Sequence, residues 1–151
     1  MEDNNAKEFP TYIELRNNIS TVCRTKYMSM RSVIERTGST SPDCIVNKIR
    51  WGHIQYKRLM MMADVLGCTV SYLISGGHTD KKVHNIYEAV KYFSVKKNMR
   101  MKELAIAAGY GSSYAMVHSL RNNAIRYNRL DAIADALDMT VLELITLDGL
   151  I

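Results

Sequence analysis

The 151-residue chain carries 20 Lys and Arg against 15 Asp and Glu, a formal net charge of +5, and 47% hydrophobic residues. That composition supplies a packed core and excludes a disordered or fibrous chain; the length holds one ordinary domain or two very small ones. The cysteines Cys23, Cys44 and Cys68 are scattered, with no CxxC and no Cys/His cluster at zinc spacing, which excludes a disulfide framework and a zinc finger and fits free thiols in a reducing cytoplasm.

The chain opens on "MEDNNAKEFP", a polar stretch that reads as a short disordered tail over 1–10 and not as a signal peptide. No apolar run approaches membrane-spanning length. Leu15, Ile19 and Val22 form the first amphipathic stripe. A short helix near 30–37 follows, closed by Gly38, a residue that accepts the left-handed conformation ending a helix. The third helix opens at "SPD": Ser41 suits the N-cap, Pro42 the first turn and Asp43 the positive end of the helix dipole. It runs to about Trp51, before Gly52. The fourth carries Leu59, Met62, Ala63 and Leu66 at helical spacing, with Met60–Met62 as gap-filling core. Thr69 caps a short fifth helix. "SGGHTDKK" at 75–82 is polar and glycine-rich, a linker, with 77–82 as the boundary.

Beyond the linker the sequence starts again. Sliding the chain by 71 residues aligns about 18 identities over about 66 positions without a gap. Met28/Met99, Gly38/Gly109, Ser41/Ser112, Val46/Val117, Leu66/Leu137 and Leu73/Leu144 are among them. Ile86, Val90 and Phe93 echo the first stripe; Leu130, Ile133, Ala134 and Leu137 echo the fourth. Thr140 with Glu143 three residues later makes a capping box. Positive charge peaks at the same place in each copy, over 24–58 and 96–129, whereas 130–151 is acidic. The organisation expected is an all-α chain of two five-helix units, 11–76 and 83–151.

Five short helices with a tight second-to-third connection describe a helix-turn-helix unit. The stretches "MKELAIAAGYGSSYAMVHSLRNN", "RLDAIADALDMTVLELI" and "RLMMMADVLGCTVSYLI" resemble the Cro and lambda-repressor (XRE) type of DNA-binding domain, and the resemblance spans about 11–149. Two departures stand out. The turn after Gly38 or Gly109 is about two residues longer than in the family, and the family's frequent Glu late in the third helix is Arg50 or Arg121 here. The second departure removes a customary ion pair.

On a helix, Val46 and Ile49 point one way with Ile45 beside them, and Cys44, Asn47, Lys48 and Trp51 point the other. In the second copy the outer stripe is Ala115, His118, Ser119 and Asn122. The frame recurs and the outer stripe changes, as expected of two helices reading two different half-sites in a major groove. Asp43, Ser113 and Tyr114 stand at the starts of these helices. The segments "HIQYKRL" and "AIRYNRL" follow. In the resembled family this stretch lies against the sugar-phosphate backbone, which makes Tyr56, Lys57, Arg58, Arg126 and Tyr127 positioning contacts.

Each site has a plainer reading. Arg50 and Arg121 can pair with Asp64 and Asp135 inside their own units instead of reaching phosphate. Tyr56 and Tyr127 can cap the core with their hydroxyls outward. Trp51 can stack on its own loop. Cys44 sits near a helix N-terminus, which can lower a thiol pKa. His53, His78 and His84 converge on no cysteine, so no metal and no cofactor is expected. No phosphate-cradling glycine loop, nucleophile–base pair or carboxylate pair is present, and the chain reads as a non-enzyme. The expected partner is double-stranded DNA, bound by a transcriptional regulator of repressor type. A homodimer remains open. So does a protein partner, of the kind bound by anti-CRISPR inhibitors or antitoxins of phages and mobile elements on this scaffold.

Overall fold

A computed structural model describes residues 12–147; the expected N-terminal tail over 1–10 and the final residues 148–151 lie outside the described residues. The described chain is helical: α1 (Ile13–Thr25), α2 (Met30–Arg36), α3 (Pro42–Trp51), α4 (Tyr56–Leu66), α5 (Val70–Ile74), α6 (Ile86–Lys96), α7 (Met101–Ala107), α8 (Ser113–Arg121), α9 (Tyr127–Ala136) and α10 (Val141–Thr146). The starts of α2 to α5 recur 71 residues later as the starts of α7 to α10.

The helices form where apolar spacing and capping agree. Leu15, Ile19, Val22 and Cys23 are the buried face of α1; Ile86, Ala89, Val90 and Phe93 are that of α6. Ser29 Oγ accepts from Ser32 N at the start of α2, and Thr69 does the same for Tyr72 N at α5. The expected capping box closes on α10: Thr140 N donates to Glu143 Oε1 at 2.9 Å and Glu143 N to Thr140 Oγ1 at 3.1 Å. Ser41 occupies the N-cap position of α3 but its side chain caps nothing; Pro42 supplies the first turn. Left-handed residues end or follow the helices at recurring places: Tyr27 and Asn98, Gly38 and Gly109, Gly52 and Asn123, Gly67 and Asp138.

Leu59, Met62, Ala63 and Leu66 are buried on α4, and Leu130, Ile133, Ala134 and Leu137 in and just after α9. The methionine run divides: Met62 is buried, while Met60 and Met61 stand out into solvent, because three consecutive helical residues cannot share one face. Within each set of five helices the elements pack on one another. Between the sets, α5 packs on α10.

The segment joining the sets is pinned rather than loose. Thr69 Oγ1 donates to Asp80, Ser71 Oγ to the Lys81 carbonyl at 2.6 Å, and Thr79 N to Ser75 Oγ. His84 N then donates to Ile145 O, fastening the segment to α10.

Candidate nucleic-acid interface

The third helix of each set hangs on a pair of buried side chains one turn apart, joined on α3 by buried Pro42 at its start. The pairs are Ile45 and Ile49 on α3, and Met116 and Leu120 on α8. This corrects the expected register by one residue, since Val46 and Val117 are only half-buried. Ile45 and Ile49 are one turn apart and reach the core together. Val46 is rotated to the flank.

The outer stripes stay outside. Cys44, Asn47, Lys48 and Trp51 are exposed on α3. On the second set Ala115, His118 and Asn122 are exposed and Ser119 is half-buried. Asn122 lies just past the end of α8, where its side chain donates to the His118 carbonyl at 2.8 Å. The helix starts differ in chemistry. Asp43 holds Arg31 at 2.7 Å, and Arg31 also faces Glu35 at 3.6 Å. Tyr114, 79% exposed, takes the equivalent position and stacks on His118 with ring centroids 6.2 Å apart; Ser113 beside it is half-buried.

Neither Arg50 nor Arg121 pairs with an aspartate of its own unit among the described residues. Arg121 turns to Tyr87 on α6: Nη2 donates to the Tyr87 hydroxyl at 3.2 Å and the guanidinium lies 4.6 Å from the ring centroid. Arg50 is exposed, and its main-chain carbonyl accepts from Tyr12 N at 2.7 Å.

The segments after the third helices hold the main surprise. They pair with each other. Gln55 and Arg126 form an antiparallel bridge. Tyr56 N donates to Ile125 O and Tyr127 N to Ile54 O, both at 2.8 Å; Lys57 N donates to Asn123 O and Asn128 N to Gly52 O, again at 2.8 Å. Each bond has a counterpart with the sets exchanged. The expected backbone contact does not hold for Tyr56: its ring is 2% exposed inside this seam. Tyr127 is half-buried there, edge-on to Tyr12 at 5.7 Å. Burial pushes both phenols well above the usual tyrosine range. Lys57 and Arg126 remain exposed and Arg58 half-exposed. One signal for the seam was present in the sequence. Ile54-Gln55-Tyr56 and Ile125-Arg126-Tyr127 alternate apolar and polar, the two-residue period of a strand.

Tyr12 crosses the seam. Its hydroxyl donates to Asp131 Oδ2 at 3.2 Å, and burial beside that carboxylate raises it to about 12. Asp131 is itself raised, first by burial. Tyr12, Tyr127 and Asp131 line a cleft of about 500 Å³ between the sets. Among the described residues no group of three or more His, Cys, Asp or Glu is placed to hold a metal ion, and no helix is long and apolar enough to cross a membrane.

Residues 91–149 match the model of the Cro/C1-type HTH DNA-binding domain. The match takes in the end of α6 and all of α7 to α10, so α8 is the third helix of that domain; α1 to α5 lie outside it. No curated protein and no solved structure matches the chain significantly.

Proposed function

We propose that the chain is a sequence-specific double-stranded DNA-binding regulator, a repressor, in which two tandem helix-turn-helix units act as a built-in pair. The observation that carries the reading is the solvent-facing stripe of α8 in the stretch that resembles Cro/C1-type domains. The recurrence of the same helices 71 residues apart, with a different outer stripe on α3, supports a second reading helix in the first unit. Asn47, Lys48 and Trp51 then face one half-site, with Cys44 beside them. Tyr114, His118 and Asn122 face another, with Ser113, Ala115 and Ser119 behind. Lys can donate to guanine O6 and N7, and Asn can pair with adenine. Lys57, Arg58 and Arg126 hold the backbone, which carries no sequence information.

Selection from a random duplex library tests this. Two dissimilar motifs at a fixed spacing are expected, bound with a log–log salt slope of about −4 to −8. Lys48→Ala should cost about 1–3 kcal/mol on the selected site and much less on random DNA. Lys57→Ala should weaken both alike and reduce the slope by about one. A flat salt dependence, or no duplex binding at low salt, removes the reading. One observation favours a protein-binding module instead: Ile106 and Tyr114, 68% and 79% exposed, put apolar surface on α7 and at the start of α8. A palindromic selected site would mean that one unit from each of two chains does the reading, and would demote the other unit to scaffold or dimer interface.

A further inference from the structure

We infer that Arg16 and Arg50 form a clamp for a single phosphodiester group beside the first reading helix, an inference that rests on the DNA-binding reading above. The two residues meet at Tyr12. Arg50 O accepts from Tyr12 N at 2.7 Å, and Arg16 N donates to Tyr12 O at 3.0 Å. Both main chains are therefore one hydrogen bond from the same residue, where α1 packs on α3. The second set shows two side chains in contact at the equivalent positions. Its equivalents, 71 residues on, are Tyr87 and Arg121, and these touch. There the phenol hydroxyl and ring occupy the guanidinium. In the first set the residue at the phenol's position in the repeat is Arg16, so the equivalent pair is two guanidinium side chains.

Neither Arg16 nor Arg50 has a side-chain hydrogen bond or ion pair among the described residues. The carboxylates around Tyr12 do not serve them. Asp131 takes the Tyr12 hydroxyl, and Glu14 and Asp131 both line the cleft on the Tyr127 side. Two like charges brought together without an acceptor repel, and an oxyanion between them reverses the sign of the interaction. Guanidinium is always charged, weakly hydrated and presents parallel N–H donors, so two of them suit the oxygens of one phosphate. Arg50 directly precedes Trp51 on α3, so an anion held there flanks the outer stripe formed by Lys48 and Trp51. The second unit lacks the clamp, because Tyr87 has filled it. The two units therefore grip the backbone unequally, and the first supplies a charge contact the second does not.

Arg16→Tyr installs the second unit's residue and tests the clamp in the full chain. Circular dichroism should show the same helical content; if tyrosine does not fit, Arg16→Met keeps the apolar stem and removes the charge. Sodium sulfate should raise the melting temperature of the wild-type chain above that in sodium chloride of equal ionic strength, and the variant should lose that difference. On duplex DNA the variant should bind several-fold more weakly to selected and random sequences alike, with the salt slope reduced by about one. An unchanged slope on DNA that the wild-type chain does bind overturns the phosphodiester assignment. An equal sulfate response in both proteins overturns the oxyanion site itself. A sulfate response lost in the variant, with no duplex binding by either protein, keeps the oxyanion site and takes DNA away as its source, which separates this failure from that of the DNA-binding reading.

Discussion

Tyr27 is 97% exposed and has a φ of +57°, between α1 and α2. A bulky L residue there sets its Cβ against the following carbonyl, at a cost of about 1–2 kcal/mol, which asparagine partly recovers by local hydrogen bonding. The second set has Asn98 at the equivalent place with φ +56°. Nothing in the packing holds the Tyr27 ring, so its loss removes no buried contact. Tyr27→Asn should therefore raise stability by about 0.5–1 kcal/mol, read as a higher midpoint in urea at unchanged slope. A neutral or destabilising outcome would mean that the ring packs in solution. The contrast with Arg121 is instructive. The plainer reading gave that side chain Asp135 of its own unit as a partner in place of phosphate, and it meets an aromatic ring on α6 instead. Charge pairing in the sequence names candidates by sign alone, and the rings compete for the same cations.

Among the elements, the buried stripes were legible because a period of 3.6 over several turns permits one face only. Leu15, Ile19 and Val22, or Leu130, Ile133 and Ala134, admit no second solution. The third helices were legible to within one residue. Ile45, Val46 and Ile49 lie on a broad apolar sector, and the connection before α3 decides which edge of it turns inward. The seam was not legible as a seam, since a bridge of one residue pair leaves too short a pattern to outweigh the polar residues around it. Gly52, at the end of α3, is where these elements are joined most tightly. Its φ is +74°, its carbonyl accepts from Asn128 N, and a Cβ there would lie 2.5 Å from the Tyr12 ring. The same Cβ would stand 3.0 Å from Asn128 Cβ. Gly52→Ala should cost about 1–3 kcal/mol through left-handed strain and displacement of Tyr12. Asn123→Gly, at the equivalent position of the second set, should change stability little, because asparagine already accepts that conformation. Urea melts of the two variants side by side check the difference, and equal losses would refute the role of the Tyr12 contact.

At the scale of the whole molecule, the seam determines how α3 and α8, the two helices proposed above to read DNA, are presented. Four main-chain hydrogen bonds run between 52–57 and 123–128, each matched by one with the sets exchanged. The contact of α5 with α10 repeats the same exchange. The segment from Ser75 to His84 adds side-chain and main-chain ties of its own, so the connection does not behave as a swinging tether. A flexible linker would let each unit find its half-site independently and tolerate a range of separations. A hydrogen-bonded seam fixes both the separation and the relative rotation of α3 and α8. On a duplex, each added base pair shifts one half-site by about 3.4 Å and rotates it by about a tenth of a turn, so about five base pairs put it on the opposite face. Inserting one base pair between the selected half-sites should weaken binding at least tenfold. Inserting five should reduce the affinity to that of a single half-site. Asn128→Pro removes the Asn128 N–H that bonds Gly52 O, at the second residue of α9, where proline is compatible with the first helical turn, and leaves the phosphate-directed lysine in place. Loosened in this way, the variant should bind the original site less tightly and discriminate less between spacings. Gel shifts across a spacing series, with both proteins at one salt concentration, read the effect directly. Equal binding of the wild-type chain to all spacings would show that the two units act as beads on a string, and that the seam does not persist on DNA.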